Sequence, residues 1–149
     1  MKKQAYMIAT MIMLLTVAGL STAKAQTSGS TELRANIPFE FSVGNKTMPA
    51  GEYSVRCTNP ASDLKVLKLR TRDGHESVMV RTGSVIGKIP DSAKLVFNRY
   101  GDHYFFAQAW LPADNIGMQA PKSRSEKQSA RELAATRTSK EVVAITARR

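Results

Sequence analysis

The stretch Lys94–Trp110 reads KLVFNRY, then GD, then HYFFAQAW, and it decides the fold of this chain. Two runs rich in aromatic and aliphatic residues flank a Gly-Asp pair. Glycine in the first position of a two-residue loop suits a type II′ turn, whose twist matches that of a hairpin. The stretch therefore predicts two antiparallel strands, 94–100 and 103–110.

Both faces of this predicted hairpin are apolar. Side chains alternate between the two faces of the second strand. One face would carry Tyr104, Phe106 and Trp110, and the opposite face would carry His103, Phe105, Ala107 and Ala109. A half-exposed hairpin is normally polar on one side. Either a C-terminal helix and last strand cover the second face, or Tyr104, Phe106 and Trp110 form an exposed platform for a sugar, lipid or protein. Coverage is the simpler interpretation, because aromatic side chains mostly serve as core.

More strand-like runs, separated by turn residues, precede the hairpin: Ile37–Val43, Tyr53–Cys57, Leu64–Arg70, Ser77–Thr82 and Ser84–Ile89. Pro38 donates no ladder hydrogen bond, so the first run is an edge strand or a strand start. After the hairpin, Ser123-x-x-Glu126 is typical of a capping box and predicts a helix over about 123–135. Val142–Thr146 predicts a last strand. Seven or eight short strands indicate a mainly β fold: a single antiparallel β-sandwich or small barrel with one short C-terminal helix and a last strand, over residues 33–149.

The first 25 residues have the features of a cleavable signal peptide. Lys2 and Lys3 precede an uncharged apolar run over Met7–Ala18, and Ala23-x-Ala25 supplies the small residues that signal peptidase requires. We therefore expect cleavage before Gln26 and a periplasmic or secreted location. An uncleaved membrane anchor is the alternative, but the run is short for a spanning helix. Residues 26–32 are interpreted as a disordered linker, and no transmembrane helix is expected in the mature chain.

The chain is basic, with 22 lysines and arginines against 12 acidic residues. Without residues 1–25 there remain 19 basic and 12 acidic residues, a net charge of +7. Arg124, Lys127 and Arg131 lie at i, i+3 and i+7 of the predicted helix and form a basic stripe. This stripe is either a solvated face, the favoured interpretation, or a contact for anionic lipid or an acidic partner. The partner classes expected are an envelope protein, a polysaccharide or an anionic lipid surface, and not nucleic acid.

No catalytic or metal-binding pattern appears in the sequence. His75 and His103 lie beside predicted turns, and together with Cys57 they lack the ligand number and spacing of a zinc site. Nucleophile motifs are absent. Paired carboxylates for glycoside hydrolysis remain formally open among five residues, Glu40, Glu52, Asp63, Glu76 and Asp102. We therefore predict no catalytic residue, no metal and no cofactor. Cys57 shares a strand face with Tyr53 and Val55, which favours a buried thiol.

Three stretches carry a resemblance: Ile37–Gly44 with Met48–Tyr53, then Lys94–Asp102, then Lys122–Glu126. They resemble a group of small, uncharacterised exported proteins common in acidobacteria, which share an IPF-F-V-G…PAGEY opening and an LVF-RYGD-YF hairpin. The resemblance implies a bacterial envelope or secreted location and one compact domain. It implies no activity and no functional residue.

These observations predict an exported envelope or secreted protein that acts as a non-enzymatic binding or structural module. Two alternatives stay open. One is a hydrolase acting on envelope polymers through paired carboxylates. The other is a peripheral protein that binds anionic membrane through the basic C-terminal segment.

Overall fold

The computed structural model describes residues 32–136 and 139–149. These residues form ten strands and one helix. The strands are β1 (Glu32–Ile37), β2 (Phe41–Val43), β3 (Lys46–Met48), β4 (Gly51–Cys57), β5 (Lys65–Thr71), β6 (Ser77–Ile86), β7 (Lys94–Tyr100), β8 (His103–Trp110), β9 (Ile116–Gln119) and β10 (Glu141–Thr146), and the helix is α1 (Arg124–Ala135). The predicted signal peptide lies outside the described residues, as does the predicted linker except Glu32, which begins β1.

Two sheets share the long strand β6. The first half of β6, Ser77–Thr82, pairs with β5, and its second half, Gly83–Ile86, pairs with β9. The first sheet has the order β1-β4-β5-β6, and the second continues from β6 through β9, β8 and β7 to β10. The short hairpin β2-β3 lies beside β8. This arrangement confirms the mainly β prediction with one short C-terminal helix and a last strand.

The strand path returns to its start at a seam between β1 and the residues that follow β10. Arg34 donates its main-chain N–H to the carbonyl of Arg148 over 2.7 Å, and Arg148 donates to the carbonyl of Arg34 over 2.8 Å. Among the described residues, this pair is the one main-chain bridge between the two edges. The sheet therefore stays open along most of the seam.

One strand pairing departs from the antiparallel prediction. The predicted single strand Ile37–Val43 is broken after Ile37, because Pro38 cannot donate to a ladder. The break carries the chain from the first sheet to the second, where β2 lies parallel to β8 with Ser42 opposite Phe105. The prediction of a wholly antiparallel fold was wrong at this point. The strands β3 and β9, which are only three and four residues long, were also missed.

The core lies between the two sheets and takes alternate side chains from nearly every strand. Its largest fully buried members are Tyr53, Phe41, Phe97, Leu33, Ile37, Met48, Leu67, Leu69 and Leu95. Phe41 meets the rings of Tyr53 and Phe97 edge to face, at centroid distances of 5.2 Å. The hydroxyl of Tyr53 reaches the rim of the core and donates to the carbonyl of Pro49 over 2.5 Å. Burial of so much aromatic and aliphatic surface is the main stabilising contribution in a domain of this size.

The helix α1 covers the outer face of β7 through a buried glutamate. Ser123 caps the helix, and its hydroxyl accepts the N–H of Glu126 over 3.1 Å. The Glu126 side chain is 3% exposed, and its Oε1 accepts from the Asn98 amide over 2.8 Å and from the Tyr100 hydroxyl over 3.3 Å. Burial, and next the Glu126 carboxylate, raise the pKa of Tyr100. These bonds offset the cost of burying a carboxylate.

Candidate anion-binding groove

The three aromatic residues predicted to share one face lie on both sides of the sheet. Between β7 and β8 the register shifts: Phe97 is opposite Phe106, but Val96 is opposite Gln108, so Ala107 is an extra residue. A bulge of this kind reverses the alternation beyond it. Phe106 therefore points into the core with Phe97, while Trp110 points outward with Lys94. The prediction from alternation was wrong here, because a run that is apolar on both faces gives no sign of where a bulge shifts the register.

Trp110 is 6% exposed and is held against the outer face of the sheet. Its ring lies over two glycines: a Cβ added at Gly117 would come within 2.7 Å of the ring, and one at Gly87 within 2.5 Å. Its indole N–H donates to the Gln108 side chain over 3.0 Å. The Trp110 ring therefore packs against Gly87 and Gly117 and offers no open face to a ligand.

Tyr104, the third predicted platform residue, is half-buried at the rim of the core. Phe39 stacks on its ring with centroids 3.9 Å apart, and the Arg99 guanidinium lies over the ring at 5.5 Å. With Phe106 at 3% exposure and Trp110 covered, the aromatic platform is not formed. Helix α1 covers the outer face of the hairpin at Asn98 and Tyr100, whereas β10 pairs with the edge of β7 and does not cover that face.

The predicted basic stripe is present on α1. Arg124, Lys127 and Arg131 are all exposed, and none of them makes an ion pair with another described residue. The half-buried Leu133 and the buried Glu126 lie on the other side of the helix. The helix therefore presents its charges to solvent while its small apolar face is already in contact with the sheet.

A groove of about 880 Å³ lies on the outer face of the first sheet, beside the seam. Residues of β1, β4, β5 and β10, of the β5–β6 turn and of the segment after β10 line it: Glu32, Arg34, Ala35, Asn36, Glu52, Tyr53, Ser54, Arg70, Thr71, Arg72, Thr146, Arg148 and Arg149. Five of these are arginines and two are glutamates, so the side chains of the lining carry a formal charge of +3. We call this surface the arginine groove.

A row of three arginines crosses the arginine groove at right angles to the strands. Arg148 is opposite Arg34, Arg34 is opposite Ser54, and Ser54 is opposite Arg70. Paired residues of neighbouring strands point to the same face, so all four side chains are on the outer surface. Neighbouring strands are about 4.8 Å apart, so the main chains of Arg148 and Arg70 are about 14 Å apart. Because the Ser54 side chain is small, it leaves open space in the row between Arg34 and Arg70.

Ion pairs neutralise only part of this positive charge. Arg72 pairs with Glu52 over 2.5 Å, and Glu32 lies 3.1 Å from Arg56 and 3.5 Å from Arg34. No described carboxylate pairs with Arg70 or Arg148. The row therefore keeps donors that an external anion can use.

The β5–β6 turn positions Arg70. Its guanidinium lies against the bare α-carbon of Gly74, where any Cβ would collide with it. Gly74 has φ of +78°, a conformation that favours glycine. In the same turn, hydrogen bonds from the Thr71 hydroxyl and then from the His75 N–H lower the pKa of Asp73. Asp73 therefore stays ionised and orders the turn next to Arg70.

No local pattern in the sequence indicates this groove. Arg34, Arg70 and Arg148 are far apart in the chain and meet only through three strand pairings. A stripe on one helix can be read from spacing, whereas a row across strands requires the register of each strand. The alternation of Arg34 with Leu33 and Ala35, and of Arg70 with Leu69, is the one local pattern that could have placed these two arginines on an exposed face.

The candidate carboxylates are either held in ion pairs or exposed. Glu32 and Glu52 both line the groove, but they are on neighbouring strands and four residues apart in register, about 14 Å between main chains, and each is ion-paired. Among the other candidates, Glu76 pairs with Lys46, and Glu40, Asp63 and Asp102 are exposed elsewhere. The described residues contain no group of three or more His, Cys, Asp or Glu side chains that could hold a metal ion.

A second cavity of about 70 Å³ lies between Leu33, Leu67 and Met118, and the Cys57 side chain lines it. Cys57 is half-buried, so the predicted burial is only partly correct.

None of the described residues forms a helix with the length and apolarity to cross a membrane. No protein-family model matches the chain, and no curated protein and no solved structure matches it.

Proposed function

We propose that this protein is an exported, non-enzymatic binding module that holds an anionic ligand in the arginine groove. The observation that carries the proposal is the row Arg148, Arg34 and Arg70 around Ser54. Arginine presents a planar fork of donors that matches carboxylate and phosphate oxygens, and such charge-assisted hydrogen bonds are stronger than neutral ones. A rigid sheet fixes the spacing of the three arginine main chains before the ligand arrives, which lowers the entropic cost of binding.

Export is supported by the signal-peptide pattern and by the resemblance to exported proteins. Expression of the full chain in a bacterial host tests it. The periplasmic or secreted product should begin at Gln26, as measured by intact mass and N-terminal sequencing. Recovery of the protein with residues 1–25 still attached would contradict export by cleavage.

Binding is tested with soluble polyanions of the carboxylate and phosphate types at several salt concentrations. At least one should bind with an affinity that falls as salt rises, because the attraction is electrostatic. The double substitution Arg34→Ala and Arg70→Ala should weaken that binding. The matched control, Lys127→Ala with Arg131→Ala, removes the same charge from α1 and should leave it nearly unchanged.

Membrane attachment through the basic stripe is the competing function. A membrane-lying helix needs a bulky apolar face. The apolar side of α1 holds little more than the half-buried Leu133, and it faces the sheet. The double variant on α1 therefore distinguishes the two: loss of binding in that variant alone would favour α1 and contradict the groove.

A further inference from the structure

We infer that the ligand of the arginine groove is a linear acidic polysaccharide, a polymer whose carboxylates are spaced along a chain of hydroxyl-bearing sugars. This inference rests on the proposed function and specifies its ligand class. It follows from three features of the lining: the spacing of the charges, the neutral polar groups between them, and the near absence of an exposed ring surface.

The positive charges are spaced, and carboxylates interrupt them. Along the row, Arg148 and Arg34 are neighbours, and Ser54 separates Arg34 from Arg70. Each step is one strand spacing of about 4.8 Å. A ligand with a charge at every position would meet a neutral serine between Arg34 and Arg70. A ligand with charges separated by neutral groups matches the row better.

The two glutamates of the lining disfavour a densely charged ligand. Glu32 and Glu52 flank the row on either side, and both are partly exposed. Duplex DNA carries about one charge per 1.7 Å of its axis, so its phosphates would lie against these carboxylates. Sugar hydroxyls, in contrast, donate hydrogen bonds to carboxylates, so the same two side chains suit a polysaccharide.

Neutral polar side chains complete the lining between the charges. They are Asn36, Ser54 and Thr146, whereas the hydroxyl of Thr71 is already bonded within the β5–β6 turn. Amide and hydroxyl groups both donate and accept hydrogen bonds, as the hydroxyls of a sugar ring require. A groove that needed only to hold phosphate would have no use for acceptors at these positions.

Stacking surfaces for nucleobases are missing from the lining. Tyr53 is its one aromatic residue, and Tyr53 is 2% exposed with its hydroxyl bonded to Pro49. Proteins that bind single-stranded nucleic acid combine basic grooves with exposed aromatic side chains. The arginine groove has the first feature without the second.

Titration of the purified protein with polygalacturonate tests the inference, using fluorescence anisotropy of the end-labelled polymer. The comparison ligands are methyl-esterified polygalacturonate, whose carboxylates are masked, polyphosphate, and oligodeoxythymidylate with the same number of charges. Polygalacturonate should bind at least about tenfold more tightly than each of them, a difference that one well-made charge-assisted contact supplies.

Variants of Ser54 locate the ligand without changing any charge. Ser54→Ile fills the space between Arg34 and Arg70 and suits a strand, and it should weaken polygalacturonate binding about tenfold or more, whereas Ser54→Ala should leave it within about twofold. Circular dichroism checks that each variant is folded. If Ser54→Ile does not fold, the Arg34→Ala and Arg70→Ala pair replaces it.

Two results would overturn the inference, and they differ in what they leave standing. If polyphosphate or oligodeoxythymidylate binds as tightly as polygalacturonate, and the arginine pair weakens that binding, the groove is an anion site but not a polysaccharide site. If no polyanion responds to the loss of Arg34 and Arg70, the proposed function fails together with the inference.

Discussion

Arg34 and Arg148 are directly opposite each other across the seam, joined by two main-chain hydrogen bonds of 2.7 and 2.8 Å. The pairing fixes two guanidinium groups on the same face of neighbouring strands. Like charges in this arrangement repel, so the site carries a small cost in stability while it is empty. An anion placed between the two arginines relieves that cost.

Substitution of Arg148 by threonine should therefore separate stability from binding. Arg148→Thr removes the repulsion without breaking an ion pair of the described residues, and threonine suits an extended segment. We expect the free energy of unfolding to rise by about 0.5 kcal/mol. Polyanion binding should weaken about tenfold. Urea denaturation and a binding titration measure the two effects.

The control is the Lys127→Ala variant, which loses the same charge on α1 and should change neither stability nor binding. A loss of stability in Arg148→Thr would count against the repulsion.

Gly117 should tolerate no side chain, because the Trp110 ring occupies that space. A Cβ there would come within 2.7 Å of the ring, so Gly117→Ala should lower the free energy of unfolding by about 1–3 kcal/mol and shift the tryptophan fluorescence. Gly83→Ala is the control, since nothing lies within 4 Å of a Cβ at that strand position. Equal melting temperatures for the two variants would show that Trp110 does not pack as described.

Loss of the Glu126 carboxylate should undock the helix. Glu126→Ala leaves the Asn98 amide and the Tyr100 hydroxyl without their acceptor, at a cost of about 1–3 kcal/mol. Glu126→Gln keeps an acceptor oxygen and should cost less. Glu132→Ala removes an exposed carboxylate from the same helix and should cost little. Urea denaturation ranks the three variants, and a ranking with Glu132→Ala as the most destabilised would contradict the docking role of Glu126.

Alkaline pH should weaken the fold through Tyr53. Burial, and then the charges of Glu76 and Asp73, raise the pKa of Tyr53 from 10.0 to about 12. A raised pKa means that the folded state holds the proton more tightly, so this contribution is complete below pH 10 and is lost as the pH rises through about 12. Tyr53→Phe should be less stable than the natural chain at pH 8, because it loses the bond to Pro49.

That stability difference should narrow steadily above pH 10. Tyr100, whose pKa is also raised, is unchanged in both proteins and cancels in the comparison. Urea denaturation of the two proteins between pH 8 and about 11.5 measures the difference. A difference that stays constant over this range would show that the Tyr53 hydroxyl titrates as an exposed phenol does.

Local patterns predicted most of the elements. The Gly-Asp pair located the β7–β8 turn, where Gly101 adopts φ of +61°, and Ser123 with Glu126 located the start of α1. These predictions succeed because a turn or a cap depends on a few neighbouring residues. They fail where the decisive contact is distant: the Glu126 side chain leaves the capping box for Asn98, and the bulge at Ala107 depends on the pairing of two strands.

The candidate site lay beyond local patterns for the same reason. The basic stripe of α1 was predicted from spacing and is present, but its spacing says nothing of a ligand. The row of Arg34, Arg70 and Arg148 depends on the seam, and the seam depends on how the first strand meets the segment after β10. The chain has 22 basic residues, so sequence alone could not select these three.

The most direct test of the groove is a heteronuclear NMR titration of the protein with the polyanion that binds most tightly. If the groove binds the polyanion, backbone amide shifts should concentrate on Arg34, Ser54, Arg70 and Arg148, on segments that are distant in sequence and adjacent in the sheet. Shifts concentrated instead on Arg124, Lys127 and Arg131, with the groove unperturbed, would contradict binding in the groove.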